Sequence, residues 1–204
     1  MSLPHAVIIA GGEGQRLGGV RKADLRIGGM RQLDRVIRAL GAVAAPVLVS
    51  VGPMGRSIGL APDCVAVPDI VAECAGPVAG LVAAVDWLAG QEIVDGLLVS
   101  AAVDTPFLPR DFVARMGAAL GAAPAAFAAW GDDFYPPNAI WRIEAITALP
   151  DRVRSGAAPA SLKALLRELG ARRVDWQTER SDNPFRNINT VADLVDLQRI
   201  AVRA

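Results

Sequence analysis

Near its start the chain reads Ala6-Val7-Ile8-Ile9-Ala10-Gly11-Gly12-Glu13-Gly14-Gln15-Arg16-Leu17-Gly18-Gly19-Val20-Arg21-Lys22, an apolar run that leads directly into a glycine-rich loop. The run from Val7 to Ala10 is apolar at every position, as expected for a strand of a parallel sheet that is covered on both faces. The loop from Gly11 to Gly19 holds five glycines, and glycines let backbone N–H groups approach a phosphate closely. The stretch therefore predicts a central strand followed by a phosphate-binding loop, and a plain surface loop explains the glycines less well.

Two cations, Arg16 and Lys22, stand in the same loop. An arginine can hold phosphate oxygens through two parallel hydrogen bonds, whereas a lysine acts as a point charge on a flexible stem. Two familiar phosphate motifs do not fit the spacing. A dinucleotide G-x-G-x-x-G that starts at Gly12 needs glycine at Leu17, and a Walker A loop needs Ser or Thr directly after its Gly-Lys pair. The loop therefore predicts a polyphosphate site of another class.

Composition and charge exclude several classes of protein. The 204 residues carry 21 basic and 21 acidic side chains and are 52% hydrophobic, which indicates a soluble globular chain and argues against a nucleic-acid binder. We expect no signal peptide and no membrane span, and hence a cytoplasmic protein. His5 is the only histidine, so a Ser-His-Asp triad is not expected. The two cysteines, Cys64 and Cys74, cannot form a four-sulfur zinc site and are expected to be buried.

Short apolar runs alternate with helical patterns along the chain, which predicts an α/β fold with a mostly parallel sheet and a site at the carboxyl ends of its strands. No linker divides residues 1–204, so we expect one domain with a nucleotide-binding half (1–110) and an acceptor-binding half (111–204). Gly131-Asp132-Asp133 between two apolar runs predicts a small hairpin insertion. Further strands are predicted at 46–51, 65–67, 97–103 and 174–176, and helices at 33–40, 77–88, 109–120 and 161–169. The last helix is predicted to start at Thr190, because Asp193 three residues on gives a capping-box-like start.

Three shorter motifs each allow two interpretations. Asp104 follows an uncharged strand, where it would be a hard oxygen ligand for Mg²⁺ on nucleotide phosphates or a turn residue before Pro106. Gly80 lies inside a predicted helix, which costs up to about 1 kcal/mol relative to alanine, so either a ligand or a strand packs closely there. Asn187 and Asn189 precede the last helix, where capping is the simpler interpretation and ligand binding is the other.

Taken in chain order, these motifs resemble those of the molybdenum cofactor guanylyltransferases, members of a wider nucleotidyltransferase family with a three-layer, Rossmann-like fold. The resemblance extends from Ala6 to about Leu197 and is strongest in the first 110 residues. The matching segments are Ala10-Gly11-Gly12, Arg16 to Gly19 and Lys22 in the opening loop, then Gly76 to Gly80, Asp104 to Leu108, and Asn187 to Leu194.

This resemblance implies that GTP and molybdopterin, held with Mg²⁺, give molybdopterin guanine dinucleotide and pyrophosphate, and that molybdoenzymes or their chaperones are further partners. The implied catalytic residues are Arg16, Lys22 and Asp104, with Asp104 and Asn189 on the metal. The residues implied to bind the acceptor are Asn187 and Asn189. The residues implied to bind the nucleotide are Ile9, Ala10, Gly11, Gly12, Gly14, Lys22, Gly52, Asp69, Gly76 and Asp104.

The chain departs from the family pattern at Gly52, where asparagine is frequent, and at Tyr135, where a basic residue or histidine often precedes the hairpin proline. Related cytidylyl- and uridylyl-transferases usually carry Ala-Ala-Gly where this chain has Ala10-Gly11-Gly12, which favours guanine because glycine leaves more room beside the base. Two alternatives stay open. One is a cytidylyltransferase or sugar-phosphate nucleotidyltransferase of the same fold, and the other is a homologue that binds nucleotide without turnover.

Overall fold

The computed structural model describes residues 2–11, 19–52, 59–70, 76–178 and 180–203, except for the side chain of Arg203. Its strands are β1 (His5–Ile9), β2 (Arg26–Ile27), β3 (Met30–Arg31), β4 (Val47–Ser50), β5 (Cys64–Val67), β6 (Leu97–Ala102), β7 (Ala125–Trp130), β8 (Asp133–Arg142) and β9 (Arg172–Asp175). Its α-helices are α1 (Gln32–Leu40), α2 (Pro77–Gly90), α3 (Phe112–Leu120), α4 (Leu149–Arg154), α5 (Leu162–Glu168) and α6 (Val191–Arg203).

Seven strands form the central sheet in the order β5-β4-β1-β6-β8-β7-β9. The pairs β5/β4, β4/β1, β1/β6 and β7/β9 are parallel, whereas β8 runs antiparallel to both of its neighbours. The carboxyl ends of β1, β4, β5 and β6 therefore meet at one edge, which is where open α/β sheets bind ligands. The predicted mostly parallel α/β sheet is confirmed.

Helices cover both faces of this sheet and give three layers. Along β1, Ala6 and Ile8 belong to the apolar core on one face, together with α1 and α3. Val7, between them, belongs to the core on the other face, together with α2, α4 and α5. Because successive side chains of a strand point to opposite faces, an apolar residue at every position is what a doubly covered strand requires.

The hairpin predicted around Gly131 forms, and its strands β7 and β8 belong to the main sheet. The structure adds four short elements that the sequence pattern did not predict: the small hairpin β2/β3, the helix α4 and two 3₁₀ turns, at Lys22–Asp24 and Ile143–Ala145. Cys64 is buried as expected, and Cys74 lies outside the described residues. His5 is part of β1, and partial burial lowers the pKa of its imidazole.

Candidate active site

Three polar side chains from distant parts of the chain meet at the ligand-binding edge of the sheet. The Lys22 ammonium donates to Asp104 Oδ2 at 2.6 Å and to Asn189 Oδ1 at 2.9 Å. The Lys22 and Asp104 side chains are only 16% and 17% exposed, so the ion pair is largely shielded from water but still accessible to a ligand. The structure thus brings together three of the residues predicted to act on phosphate and metal.

Local structure places each of the three groups. Lys22 begins the 3₁₀ turn that buries Ala23 in the core, and this fixes the lysine beside the sheet edge. Asp104 stands two residues beyond the end of β6, in a turn in which the Thr105 N–H donates to the Ala102 carbonyl at 3.3 Å. Asn189 lies two residues before the first residue of α6, so the start of that helix determines its position.

The start of α6 is a complete capping box. The Asp193 N–H donates to Thr190 Oγ1 at 3.1 Å, and Asp193 Oδ2 accepts from the Thr190 N–H at 2.8 Å. The same carboxylate oxygen accepts from the Asn189 N–H at 3.0 Å. These N–H groups lower the pKa of Asp193, the largest effect coming from Asn189. The cap is thus formed by Thr190 and Asp193 and also anchors the backbone of Asn189. The expectation that the side chains of Asn187 and Asn189 cap the helix is wrong, because they accept from Thr105 and Lys22.

Three of the predicted nucleotide-binding residues follow the carboxyl ends of neighbouring strands. Gly11 and Gly52 lie back to back after β1 and β4: a Cβ on Gly11 would stand 3.0 Å from the Gly52 nitrogen. Gly52 has φ +76°, a conformation that favours glycine, and its carbonyl accepts from the Asp69 N–H at 3.4 Å. Burial raises the pKa of the Asp69 carboxyl. Close packing against Gly52 therefore explains the glycine at position 11 without any contact to a nucleotide base.

Parts of the backbone expected to face a nucleotide are already engaged in the sheet. The Ile9 carbonyl accepts from the Val103 N–H at 3.1 Å, and the Ala10 N–H donates to the Ser50 carbonyl at 3.1 Å. Gly80 also has a structural explanation, since a Cβ there would stand 2.7 Å from Ser50 Oγ. Between the two interpretations of Gly80, close packing of α2 on β4 accounts for the glycine.

Gly76 precedes α2 with φ +73° and provides no side-chain cap. The first turn of α2 lines one wall of a cavity of about 220 Å³ that faces the β7/β8 hairpin and the start of α5. Its lining is largely apolar, with one cation, Lys163. The full set of lining residues is Pro77, Val78, Pro136, Pro137, Ala160, Ser161, Leu162 and Lys163.

The predicted acceptor residue Asn187 lies beside the Asp104 turn, where its Oδ1 accepts from Thr105 Oγ1 at 3.4 Å. Thr105 in turn accepts from Asn138 Nδ2 at 3.3 Å. Both Thr105 and Asn138 are buried, and sequence reasoning nominated neither for the site. In the sequence, Asn138 is only a polar residue after Pro137, and Thr105 is only a polar residue after Asp104. Such residues are too common for the sequence to identify them as functional.

Tyr135 stands in the hairpin where family members often have a basic residue or histidine, and in this structure it packs against the protein interior. Its hydroxyl accepts from Asn183 Nδ2 at 2.6 Å, and its ring lies 5.2 Å from the ring of Phe185. Burial raises the pKa of this phenol.

Arg16, Gly12 and Gly14, predicted to hold the polyphosphate, lie outside the described residues.

The donor chemistry fits one Mg²⁺. The Asp104 carboxylate and the Asn189 amide oxygen both bond to the Lys22 nitrogen, at 2.6 and 2.9 Å, so the two oxygens face one point, and both are of the kind that Mg²⁺ prefers. Within the described ranges there is no cluster of three or more His, Cys, Asp or Glu side chains suited to a metal. Two protein oxygens are enough for Mg²⁺, because this ion keeps several waters and takes further oxygens from substrate phosphates.

Comparison with known proteins gives consistent results. Residues 6–195 match the family model described as the MobA-like NTP transferase domain. A molybdenum cofactor guanylyltransferase of Acidiphilium cryptum is 40% identical over 93% of this chain and 91% of its own length. Enzymes with the same name from Nitrobacter hamburgensis and Rhodobacter capsulatus are 35% and 36% identical, over 97% and 92% of this chain and 94% and 91% of theirs.

Solved structures share the fold at lower identity. Molybdopterin-guanine dinucleotide biosynthesis protein A from Archaeoglobus fulgidus superposes with a TM-score of 0.71 at 19% identity, over 98% of this chain and all of that one. A 2-C-methyl-D-erythritol 4-phosphate cytidylyltransferase from Thermus thermophilus gives 0.69 at 20% identity, over 99% and 100%. Both likenesses concern the fold alone. No helix among the described residues is long and apolar enough to cross a membrane.

Proposed function

This chain belongs to the MobA-like NTP transferase family and is a nucleotidyltransferase, and from that premise we propose that it transfers GMP from GTP to molybdopterin. The observation that carries the proposal is the meeting of Lys22, Asp104 and Asn189 at the carboxyl edge of the parallel sheet. One cation and two oxygen donors at this edge suit a metal-bound triphosphate. Relatives at 32–40% identity carry the name molybdenum cofactor guanylyltransferase.

The reaction is an in-line displacement. A terminal phosphate oxygen of molybdopterin forms a bond to the α-phosphorus of GTP, while the bond from that phosphorus to the bridging oxygen breaks and its electron pair leaves with pyrophosphate. No covalent enzyme intermediate is required, so the protein contributes position and charge. That task matches a chain whose single histidine is built into β1.

Lys22 balances the Asp104 carboxylate before substrate binds. With nucleotide in place its ammonium turns to the phosphate oxygens, together with Arg16, and the pyrophosphate leaves against their positive charge. Asp104 and Asn189 would hold Mg²⁺, which supplies charge neutralisation of the phosphates when bound. Magnesium and lysine thus compete for the same two oxygens, and we expect substrate phosphate to favour the metal-bound arrangement.

The cavity between α2, the hairpin and α5 suits the ring end of the acceptor. Its walls carry proline and aliphatic side chains, and Lys163 adds one positive charge. An apolar cleft with a single cation matches a flat heterocycle that bears a phosphate. Asn138, which follows the lining residues Pro136 and Pro137, bonds to the turn that carries Asp104 through Thr105, so the cavity and the metal-binding turn are neighbours.

Selection of guanine rests on the backbone at Gly11 and Gly52, together with Asp69. These groups lie beyond the Ile9 carbonyl and the Ala10 N–H, which the sheet already uses. The main competitor is cytidylyl transfer, because a cytidylyltransferase superposes on this chain nearly as well as the guanine-dinucleotide protein. The fold is common to both reactions, so turnover with the individual nucleotides has to distinguish them.

The test is transfer with each of the four nucleoside triphosphates. Purified protein is incubated with one triphosphate, Mg²⁺ and molybdopterin, and both pyrophosphate and the dinucleotide product are measured. We expect rapid turnover with GTP and little with the others. Equal or faster turnover of CTP refutes the guanine assignment, and GTP binding in a calorimeter without pyrophosphate release identifies a homologue that binds without turnover.

Asp104→Asn is the matching protein variant, because it keeps the size of the side chain and removes its charge. We expect loss of Mg²⁺-dependent transfer with little change in the melting temperature. Asp196→Asn, which removes an exposed carboxylate on α6, is the control and should transfer at the wild-type rate. Full activity of Asp104→Asn would contradict the metal role of Asp104.

A further inference from the structure

The strands β6 and β8 separate just before the Asp104 turn. They pair from Leu97 with Arg142 to Ser100 with Ala139. Beyond that point β8 carries Pro136 and Pro137, which have no backbone N–H to give to a ladder. On the other side of β8, the pairing with β7 passes from Ala139 directly to Tyr135. Residues 136–138 therefore bulge out of the sheet, and the end of β6 loses its neighbour on the β8 side while it still pairs with β1.

Asn138 takes the place of that neighbour. Its side chain is 1% exposed, and its Oδ1 accepts from the Ala102 N–H at 2.9 Å. A buried backbone N–H without a partner is costly. Here the amide oxygen of the Asn138 side chain accepts the hydrogen bond that a carbonyl of a neighbouring strand would otherwise accept. The amide is oriented by this bond, so its Nδ2 group points the other way, toward Thr105.

From Asn138 the contacts continue into both segments that form the site. The Asn138 Nδ2 donates to Thr105 Oγ1 at 3.3 Å, and the Thr105 hydroxyl donates to Asn187 Oδ1 at 3.4 Å. Next to them, the Ile188 N–H donates to the Asp104 carbonyl at 3.2 Å. The turn that carries Asp104 and the segment that carries Asn189 are thus tied to each other and to β8.

We propose that Asn138 and Thr105 are positioning residues for the nucleotidyl transfer. They touch neither phosphate nor metal, and they act by holding the Asp104 carboxylate and the Asn189 amide at a separation that one cation can bridge. This inference rests on the proposed function of the site. Partners behind metal-binding side chains typically change metal affinity or activity by about 10–100-fold when they are removed.

The first test is Thr105→Val, which keeps the shape of the side chain and removes the hydroxyl. We expect kcat to fall by about tenfold or more, with a higher Mg²⁺ concentration needed for half-maximal rate. The KM for GTP should change by less than about threefold, because the nucleotide contacts at Gly11 and Gly52 lie on other strands. Thr105→Ser returns the hydroxyl and should restore most of kcat. Asn138→Ala is a second variant that removes the amide itself.

Ser100→Ala is the matched control. Trp141 Nε1 donates to Ser100 Oγ at 2.9 Å, a buried bond between the same two strands but away from the turn. We expect this variant to lower the melting temperature and to keep the wild-type kcat. A wild-type kcat in Thr105→Val, no rescue by Thr105→Ser, or an equal loss in Ser100→Ala would each overturn the positioning role.

Hydrogen exchange separates this inference from the proposed function. In Thr105→Val, amides of the peptide 183–190 should exchange at least about tenfold faster than in the wild type, whereas Ser100→Ala should leave them unchanged. Unchanged exchange in Thr105→Val overturns the inference even if the wild-type protein is an active guanylyltransferase. Faster exchange in Thr105→Val, found together with a wild-type protein that releases no pyrophosphate, supports the positioning and refutes the activity.

Discussion

At the scale of single residues, Lys22 is the most informative side chain. It bonds to Asp104 and Asn189, which lie 82 and 167 positions away in sequence. Exposed ion pairs contribute little to stability because water screens them, but this pair is mostly shielded and stands where a triphosphate is expected. We therefore propose that this pair serves substrate binding more than folding. A cation in this position keeps the empty site neutral and is available to phosphate when substrate arrives.

Lys22→Ala should weaken GTP binding or slow transfer. A hydrogen bond to a charged group is worth about 1.5–3 kcal/mol, which corresponds to roughly 10- to 150-fold in kcat/KM. Calorimetry with GTP and steady-state kinetics measure the two effects separately. Arg199→Ala, which removes an exposed cation from α6, should behave like the wild type. Unchanged kinetics in Lys22→Ala would contradict the phosphate role of the loop.

At the scale of elements, two helices are fitted to the site in different ways. Helix α2 reaches close to β4 because Gly80 lies over Ser50, and this places its first turn beside the cavity. Helix α6 begins with the box formed by Thr190 and Asp193, and the same box fixes Asn189. One helix is positioned by the absence of a side chain, and the other by the hydrogen bonds of its cap.

Gly80→Ala should destabilise the protein although alanine favours helices. The added Cβ would stand 2.7 Å from Ser50 Oγ and 3.0 Å from Ser50 Cβ, and such overpacking costs about 1–3 kcal/mol. Gly117→Ala in α3 is the control, since a Cβ there would meet only Ile140 Cδ1, at 4.0 Å. That change should stabilise by about 0.5–1 kcal/mol. Urea unfolding measures both, and a stabilised Gly80→Ala would show that α2 can move away from β4.

The cap of α6 should give the stability a dependence on acid pH. Backbone N–H groups lower the pKa of Asp193 in the folded protein, so its contribution is complete above its unfolded pKa of about 3.9. The contribution disappears as the pH falls through the lower folded pKa. Asp193→Asn should therefore be less stable than the wild type at pH 7, with the difference shrinking toward zero in acid. A difference that is constant from pH 7 to pH 2.5 in urea unfolding would contradict this.

At the scale of the whole molecule, one sheet joins the two halves of the chain. Strand β6 from the first half pairs with β8 from the second, and β9 returns to the edge beside β7. The site is shared in the same way, since Lys22 and Asp104 come from residues 1–110 and Asn189 from residues 111–204. Neither half can complete the site without the other.

We therefore predict that the chain unfolds as one cooperative unit. Calorimetric and van't Hoff enthalpies should agree, and residues 2–110 alone should not give a cooperative transition, because β6 would lose its pairing with β8. Differential scanning calorimetry of the full chain and of this fragment tests both statements. Two separate transitions in the full chain would show that the halves are independent domains.

Much of this could be predicted from sequence because the signals are local. The apolar run from Val7 to Ala10 predicted the doubly covered strand, and Thr190 with Asp193 predicted the helix start, since each pattern depends on neighbours a few positions away. Asp104 and Lys22 could be nominated by residue type and by resemblance. Asn138 could not, because its role depends on a break in a ladder between two strands, and a single polar residue after two prolines has no distinctive pattern.

Sequence alone established the α/β class, the family and the residues with the right chemistry for phosphate and metal. Only the tertiary structure decided that Lys22 bonds to Asp104 and Asn189, that Gly80 serves packing on Ser50, and that the buried Asn138 amide ties the turn after β6 to β8. The physical reason is the distance along the sequence between the residues that interact. A strand or a cap is determined by side chains within one or two turns, whereas a contact across 82 residues depends on the order and register of a sheet that the whole chain assembles.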